Sequence, residues 1–200
     1  MSVGNGTLLP CFLLMFYQVF AGAFLLLAGF STVSSAQTIQ GGTLHWSASR
    51  PLVLADFKAR PRPDEAHAAL TSATIVAQVA CRSNQFSGHV QAAFDPTRSW
   101  VRDPATITAK LLRHEQLHFD ITEVYARRLR QKLAGVSIAC ADLGPTFERL
   151  SKGVYADWEK AEDQYDRDTN HGLKPAQQAQ WEAQVQQQLL ELAAFADKEA

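Results

Sequence analysis

The sequence predicts an α+β fold, with a small antiparallel sheet followed by three helices. Three observations carry that expectation. Apolar and polar residues alternate between 69 and 94, and three stretches of helical periodicity follow. Each of these stretches opens beside a proline, at Pro104, Pro145 and Pro175, where the missing N–H does a helix no harm. The first of them contains His114-Glu115-Gln116-Leu117-His118.

The chain of 200 residues divides at about residue 36. Residues 1–36 contain no Asp, Glu, Lys or Arg, and Leu8 to Phe30 is almost wholly apolar. Ser34-Ser35-Ala36 before Gln37 supplies the small residues that a signal peptidase accepts. Residues 1–36 are therefore expected to be a signal peptide, and 37–200 a single domain in the periplasm or outside the cell. The apolar run is also long enough to span a bilayer. The alternative is an uncleaved anchor in the inner membrane with the domain facing the periplasm, and membrane contact is expected only then. A net charge of −1 offers no electrostatic case for nucleic acid. Beyond the leader the cysteines are Cys81 and Cys140, and a pair in an exported chain is expected to form a disulfide.

Thr43 to Phe57 reads as two short extended pieces separated at Pro51, with Trp46, Leu52, Leu54 and Phe57 as core contacts. Residues 59–65 hold Pro61 and Pro63 and form a loop. Ala69 to Arg82 alternates as a strand, and His89 to Phe94 does so again, with Val90, Ala92 and Phe94 on one side. Residues 83–88 should join them as an antiparallel pair. Asp103-Pro104 predicts a helix start, with Asp103 as N-cap, and the helix runs to about Leu133 before Gly135. A second helix begins near Pro145 and ends before Gly172. A third begins near Pro175, with Trp181, Val185, Leu189 and Leu192 on its stripe.

Residues four apart on a helix stand one turn above each other, so His114 and His118 can aim at a single ion. Glu115 then falls beside the open coordination position, where a carboxylate can take a proton from water. A catalytic zinc needs a third protein ligand, and the second helix offers three. His171 ranks first, as an imidazole on a loop just past the helix. Glu162 is the alternative ligand and Asp166 ranks third; together they form Glu-x-x-x-Asp, which resembles the third-ligand helix of the gluzincin metalloproteases. Asp120, Asp166 and Tyr165 are candidates for orienting a ligand or donating to an oxyanion. His45, His67 and His89 have no partner at ligand spacing and are read as ordinary.

Trp46, Asp56-Phe57-Lys58, Ser99-Trp100, the run Arg113 to Asp120, Tyr165-Asp166 with Thr169, His171 and Gly172, and Trp181 together resemble the DUF922 family of exported bacterial proteins. That resemblance implies a zincin-like, zinc-dependent metallopeptidase domain over 37–200, with Zn2+ as cofactor and a peptide or protein as substrate, and it raises His171 as a site residue. The expected chemistry is peptide-bond hydrolysis by zinc-activated water, with Glu115 as general base. Two other functions fit the same residues. One is a zinc hydrolase of cell-wall peptide crosslinks; the other is a non-catalytic envelope protein stabilised by zinc.

Overall fold

The structure, a computed structural model, describes residues 42–198. The leader expected over 1–36 lies outside the described residues. Among them, no helix is long and apolar enough to cross a membrane.

The fold is α+β, small antiparallel sheets followed by three helices. Strand β1 (Leu44–His45) pairs with β4 (Gln85–Phe94), and β4 pairs along its whole length with β3 (Ala73–Arg82), giving the order β1-β4-β3. A second, two-stranded sheet joins β2 (Ala69–Leu70) to β5 (Trp100–Val101). The single strand expected from Ala69 to Arg82 is thus broken at Thr71-Ser72, where Ser72 N–H turns to the Ser99 hydroxyl oxygen at 2.9 Å.

The β3–β4 connection is also tighter than the sequence suggests. Ser83 and Asn84 adopt φ values of +49° and +59°, the left-handed pair that closes a two-residue hairpin. Pairing therefore starts at Arg82↔Gln85 and includes the polar residues read as a loop. Of the two extended pieces expected between 43 and 57, the second is a 3-10 turn over Leu54–Asp56, closed by Val53 N–H donating to Asp56 Oδ2 at 2.8 Å.

Helix α1 (Ala109–Ala134) touches β3, β4, α2 (Leu143–Thr169) and α3 (Pro175–Glu191), so it is buried around most of its circumference. Val90, Ala92 and Phe94 of β4 are at most 2% exposed and share one core with Leu117, Phe119, Ile121, Val124 and Leu129 of α1. The helix begins later than expected. Asp103 caps a turn instead, accepting from Ala105 N–H and the Thr106 hydroxyl. Thr108 is the N-cap, its hydroxyl oxygen accepting from Leu111 N–H at 3.1 Å. Both residues are good caps, and the one nearer the packed stripe wins.

Polar residues inside this core are paired. Glu123, 1% exposed, receives Arg127 at 2.8 Å and Arg130 at 2.9 Å. Arg127 also donates to the Leu189 carbonyl and Arg130 to those of Val90 and Phe195, holding the C-terminal segment against the sheet. The Cys81–Cys140 disulfide is present and ties the hairpin to the 3-10 turn (Cys140–Asp142) between α1 and α2. It spans 59 residues, which on the chain-entropy model stabilises the fold by about 4 kcal/mol.

Candidate metal centre

Helix α1 places His114 and His118 one turn apart, with ring centroids separated by 4.9 Å. Helix α2 faces them with Glu162 and Asp166, also one turn apart, and α3 contributes Gln178. Asp166 Oδ1 lies 3.1 Å from His114 Nε2 and 3.2 Å from His118 Nε2. The donor atoms of His114, His118 and Asp166 all fall within 4.8 Å of one another, a group able to hold a metal ion.

The other nitrogen of each ring is already engaged. His114 Nδ1 is 3.2 Å from Gln178 Oε1, and His118 Nδ1 is 2.5 Å from Glu162 Oε2. Both partners are oxygens, and in the tautomer with the proton on Nδ1 each ring donates to its partner. Both Nε2 atoms then present lone pairs toward the Asp166 carboxylate, which can only accept. Two lone pairs and a carboxylate aimed at one another lack a positive centre, and a cation supplies one. In its absence a proton must serve: the His118 imidazole is pushed up to about 10. Burial alone would lower it, but the hydrogen bonds to Asp166 and Glu162 and the Glu162 and Glu115 charges outweigh burial. With protons on the Nε2 atoms in place of a cation, burial still opposes ionisation of Asp166, yet the hydrogen bonds from His114 and His118 and their charges hold it well below the usual carboxylate range.

A further layer fixes these partners. Glu162 Oε1 accepts from Trp158 Nε1–H at 2.8 Å and from the Thr122 hydroxyl at 3.2 Å. Tyr165 stacks on His114 at 4.7 Å and donates to Gln178 Oε1 at 2.8 Å. Asn170, His171 and Gly172 follow α2 with φ of +49°, +53° and +78°, wrapping the chain over His114. A Cβ at Gly172 would stand 3.1 Å from the His114 ring, so the glycine is needed for the approach as well as for its φ.

A cavity of about 250 Å³ opens onto the centre, lined by both histidines, Glu115, Glu162, Asp166 and His171 from the helical side. Residues 67–71 and Ala73 line the opposite side. Glu115 is 3% exposed, and its Oε2 accepts from the Thr71 hydroxyl at 2.8 Å.

The structure thus brings His114, Glu115, His118, Glu162, Asp166 and His171 together. Among the three donors weighed for the third position, Asp166, ranked last from sequence, is the one that meets both Nε2 atoms. Glu162, ranked second, meets the back of His118. His171, ranked first, reaches Asp166 Oδ1 with its Nδ1 at 3.3 Å and remains half-exposed at the cavity mouth. Asp120 sits elsewhere. It accepts from Trp46 Nε1–H at 2.7 Å and Gln116 Nε2–H at 2.8 Å, and Gln116 in turn accepts from Leu52 N–H. Its work is to pin the N-terminal segment to α1, and burial raises its carboxyl against the lowering effect of those bonds. Tyr165, a candidate oxyanion donor, is fully buried and does not line the cavity; its hydroxyl hydrogen is held by Gln178. Burial pushes its phenol well up.

The sequence does not point to Thr71 or Gln178, and in it His67 reads as ordinary. The His67 ring lies 4.8 Å from that of His171 at the mouth. The break in alternation at Thr71-Ser72 was a usable signal for the first; Gln178 carries none, being one glutamine among many on α3.

The centre belongs to a chain whose residues 34–172 match the family model described as "Bacterial protein of unknown function (DUF922)". The chain is a member of the DUF922 family. The matched span includes His114, His118 and Asp166 and ends before Gln178. No curated protein and no solved structure matches the chain.

Proposed function

We propose that this protein is a metal-dependent peptidase, with zinc held by His114, His118 and Asp166 and with Glu115 as general base. The observation that carries the reading is the convergence of both Nε2 atoms on Asp166 Oδ1 while both Nδ1 atoms are tied back by Gln178 and Glu162. Imidazole with carboxylate is a donor set suited to zinc, and histidines backed by hydrogen-bond acceptors are the usual companions of such a site. A zinc ion there would bring a water toward neutral pKa and polarise a substrate carbonyl.

The chain's own groups have defined tasks in this scheme. Glu162 and Gln178 fix the tautomers and aim of the two histidines. Glu115 accepts the proton of the attacking water and passes it to the leaving amine. The Thr71 hydroxyl, donating to Glu115 Oε2, sets the direction of that carboxylate and leaves its second oxygen for the proton.

His171 favours a second reading. Its Nδ1, 3.3 Å from Asp166 Oδ1, is a fourth donor within a small movement of the group, and four protein ligands would make the metal structural. Metal analysis of the purified mature chain, with Glu115→Gln alongside, tests both. About one zinc per chain and hydrolysis of a denatured protein that Glu115→Gln abolishes without losing metal support the peptidase. One zinc with no turnover in either protein supports the structural metal, and no divalent metal removes both.

A further inference from the structure

The second sheet bears on what the cleft takes. Arg102 N–H donates to the Ala68 carbonyl at 2.9 Å, and Ala69 lies opposite Val101 and Leu70 opposite Trp100. In antiparallel pairing, residues that exchange hydrogen bonds alternate with residues that do not. With 68 opposite 102 as a bonded pair, 70 opposite 100 is the next. Ala69 and Thr71 therefore turn their backbone N–H and C=O away from β5. Neither has a backbone partner elsewhere among the described residues, and both residues line the cavity.

This free edge is held in place on either side. Arg102 Nε donates to the His67 carbonyl at 3.0 Å and its Nη2 donates to that of Glu65, fixing the approach. At the other end the Thr71 side chain is bonded to Glu115. The edge is thus registered directly to the proposed base. Leu70, 42% exposed, stands at the lip, while Ala73, Leu111 and Trp158 line the cavity wall.

We propose that the cleft binds an extended L-polypeptide as a strand added to the free edge of β2, with its amides paired to Ala69 and Thr71 and an apolar side chain directed into the cavity. This rests on the peptidase reading above and narrows its substrate. Ala69 and Thr71 offer two donors and two acceptors about 6.6 Å apart, the two-residue repeat of an extended chain. Short cell-wall crosslinks contain D-residues, which reverse the side-chain alternation that such pairing needs. The free edge therefore favours ordinary polypeptide over that alternative.

The test is an N-methyl scan read by fluorescence anisotropy on the Glu115→Gln protein after incubation with zinc, with its zinc content measured alongside. The probe is a fluorescein-labelled octapeptide of L-threonines with one central leucine to set the register. Methylating the amides that face β2 should weaken binding at least about fivefold, and methylating those between them less than about twofold. The all-D peptide should not compete. A two-residue rhythm in a protein that takes up no zinc would sustain the peptide cleft and remove the metal reading. Zinc uptake with no rhythm, with no binding at millimolar peptide, or with equal binding of the all-D peptide would overturn the strand proposal while leaving the metal reading intact.

Discussion

Replacing Asp166 with alanine removes the one oxygen that lies 3.1 and 3.2 Å from the two Nε2 atoms. A small all-protein zinc site is worth about 10–16 kcal/mol, so one ligand of four accounts for about 3 kcal/mol, or roughly a hundredfold in affinity. Glu162→Gln removes a charge but leaves an amide oxygen to receive His118 Nδ1–H, and a loss of about tenfold is expected. His171→Ala, removing a half-exposed side chain that meets Asp166 Oδ1 at 3.3 Å and the His67 ring at the mouth, should change affinity less than about threefold. Competition against a chromophoric chelator at fixed pH measures all three on one scale. A His171→Ala loss equal to that of Asp166→Ala would refute the assignment and restore the imidazole as a ligand. A Glu162→Gln loss exceeding that of Asp166→Ala would exchange the roles of the two carboxylates.

Four further outcomes are expected. Because burial raises the Asp120 carboxyl, its folded form binds the proton more tightly than the unfolded chain does. Its stabilising contribution is complete below the unfolded value and lost as pH rises through the folded one, so Asp120→Asn should match or exceed the parent in urea melts at neutral pH and show a flatter profile down to about pH 4. Glu123→Gln leaves Arg127 and Arg130 without their shared carboxylate and should cost about 3 kcal/mol in the same melts. Gly172→Ala meets the His114 ring at 3.1 Å with φ +78°, so it should lower stability by about 1–2 kcal/mol and weaken zinc uptake in the chelator assay. Cys140→Ser should expose one thiol to a thiol reagent and lower stability by about 4 kcal/mol.

What the sequence disclosed follows the range of the interactions concerned. The His114–His118 pair and the Glu162–Asp166 pair are visible because a helical turn is local and needs no knowledge of what packs against it. Which carboxylate meets the Nε2 atoms depends on how α2 crosses α1, and no local pattern encodes that crossing. Asp166 and Glu162 therefore could not be ordered against His171 in advance. Gln178 reaches His114 across 64 positions, and its role exists only once α3 has docked. Asp103 and Thr108 illustrate the same limit at a helix end, where two competent caps are separated only by the packing that follows. Amphipathic periodicity locates all three helices, but it does not reveal that α1 is surrounded by other elements and buries Glu123 and Arg127 as well.

The tautomer lock on the two histidines comes from two different later helices, Glu162 on α2 and Gln178 on α3. A nascent or partly folded chain can thus display the His-Glu-x-x-His helix without having a competent pair of rings. Under the proposed peptidase reading, docking of the last helix completes the centre, and a molecule truncated before residue 178 should be inert even with every matched motif intact. On that reading, the helix that lies beyond the matched span governs when the two rings become usable.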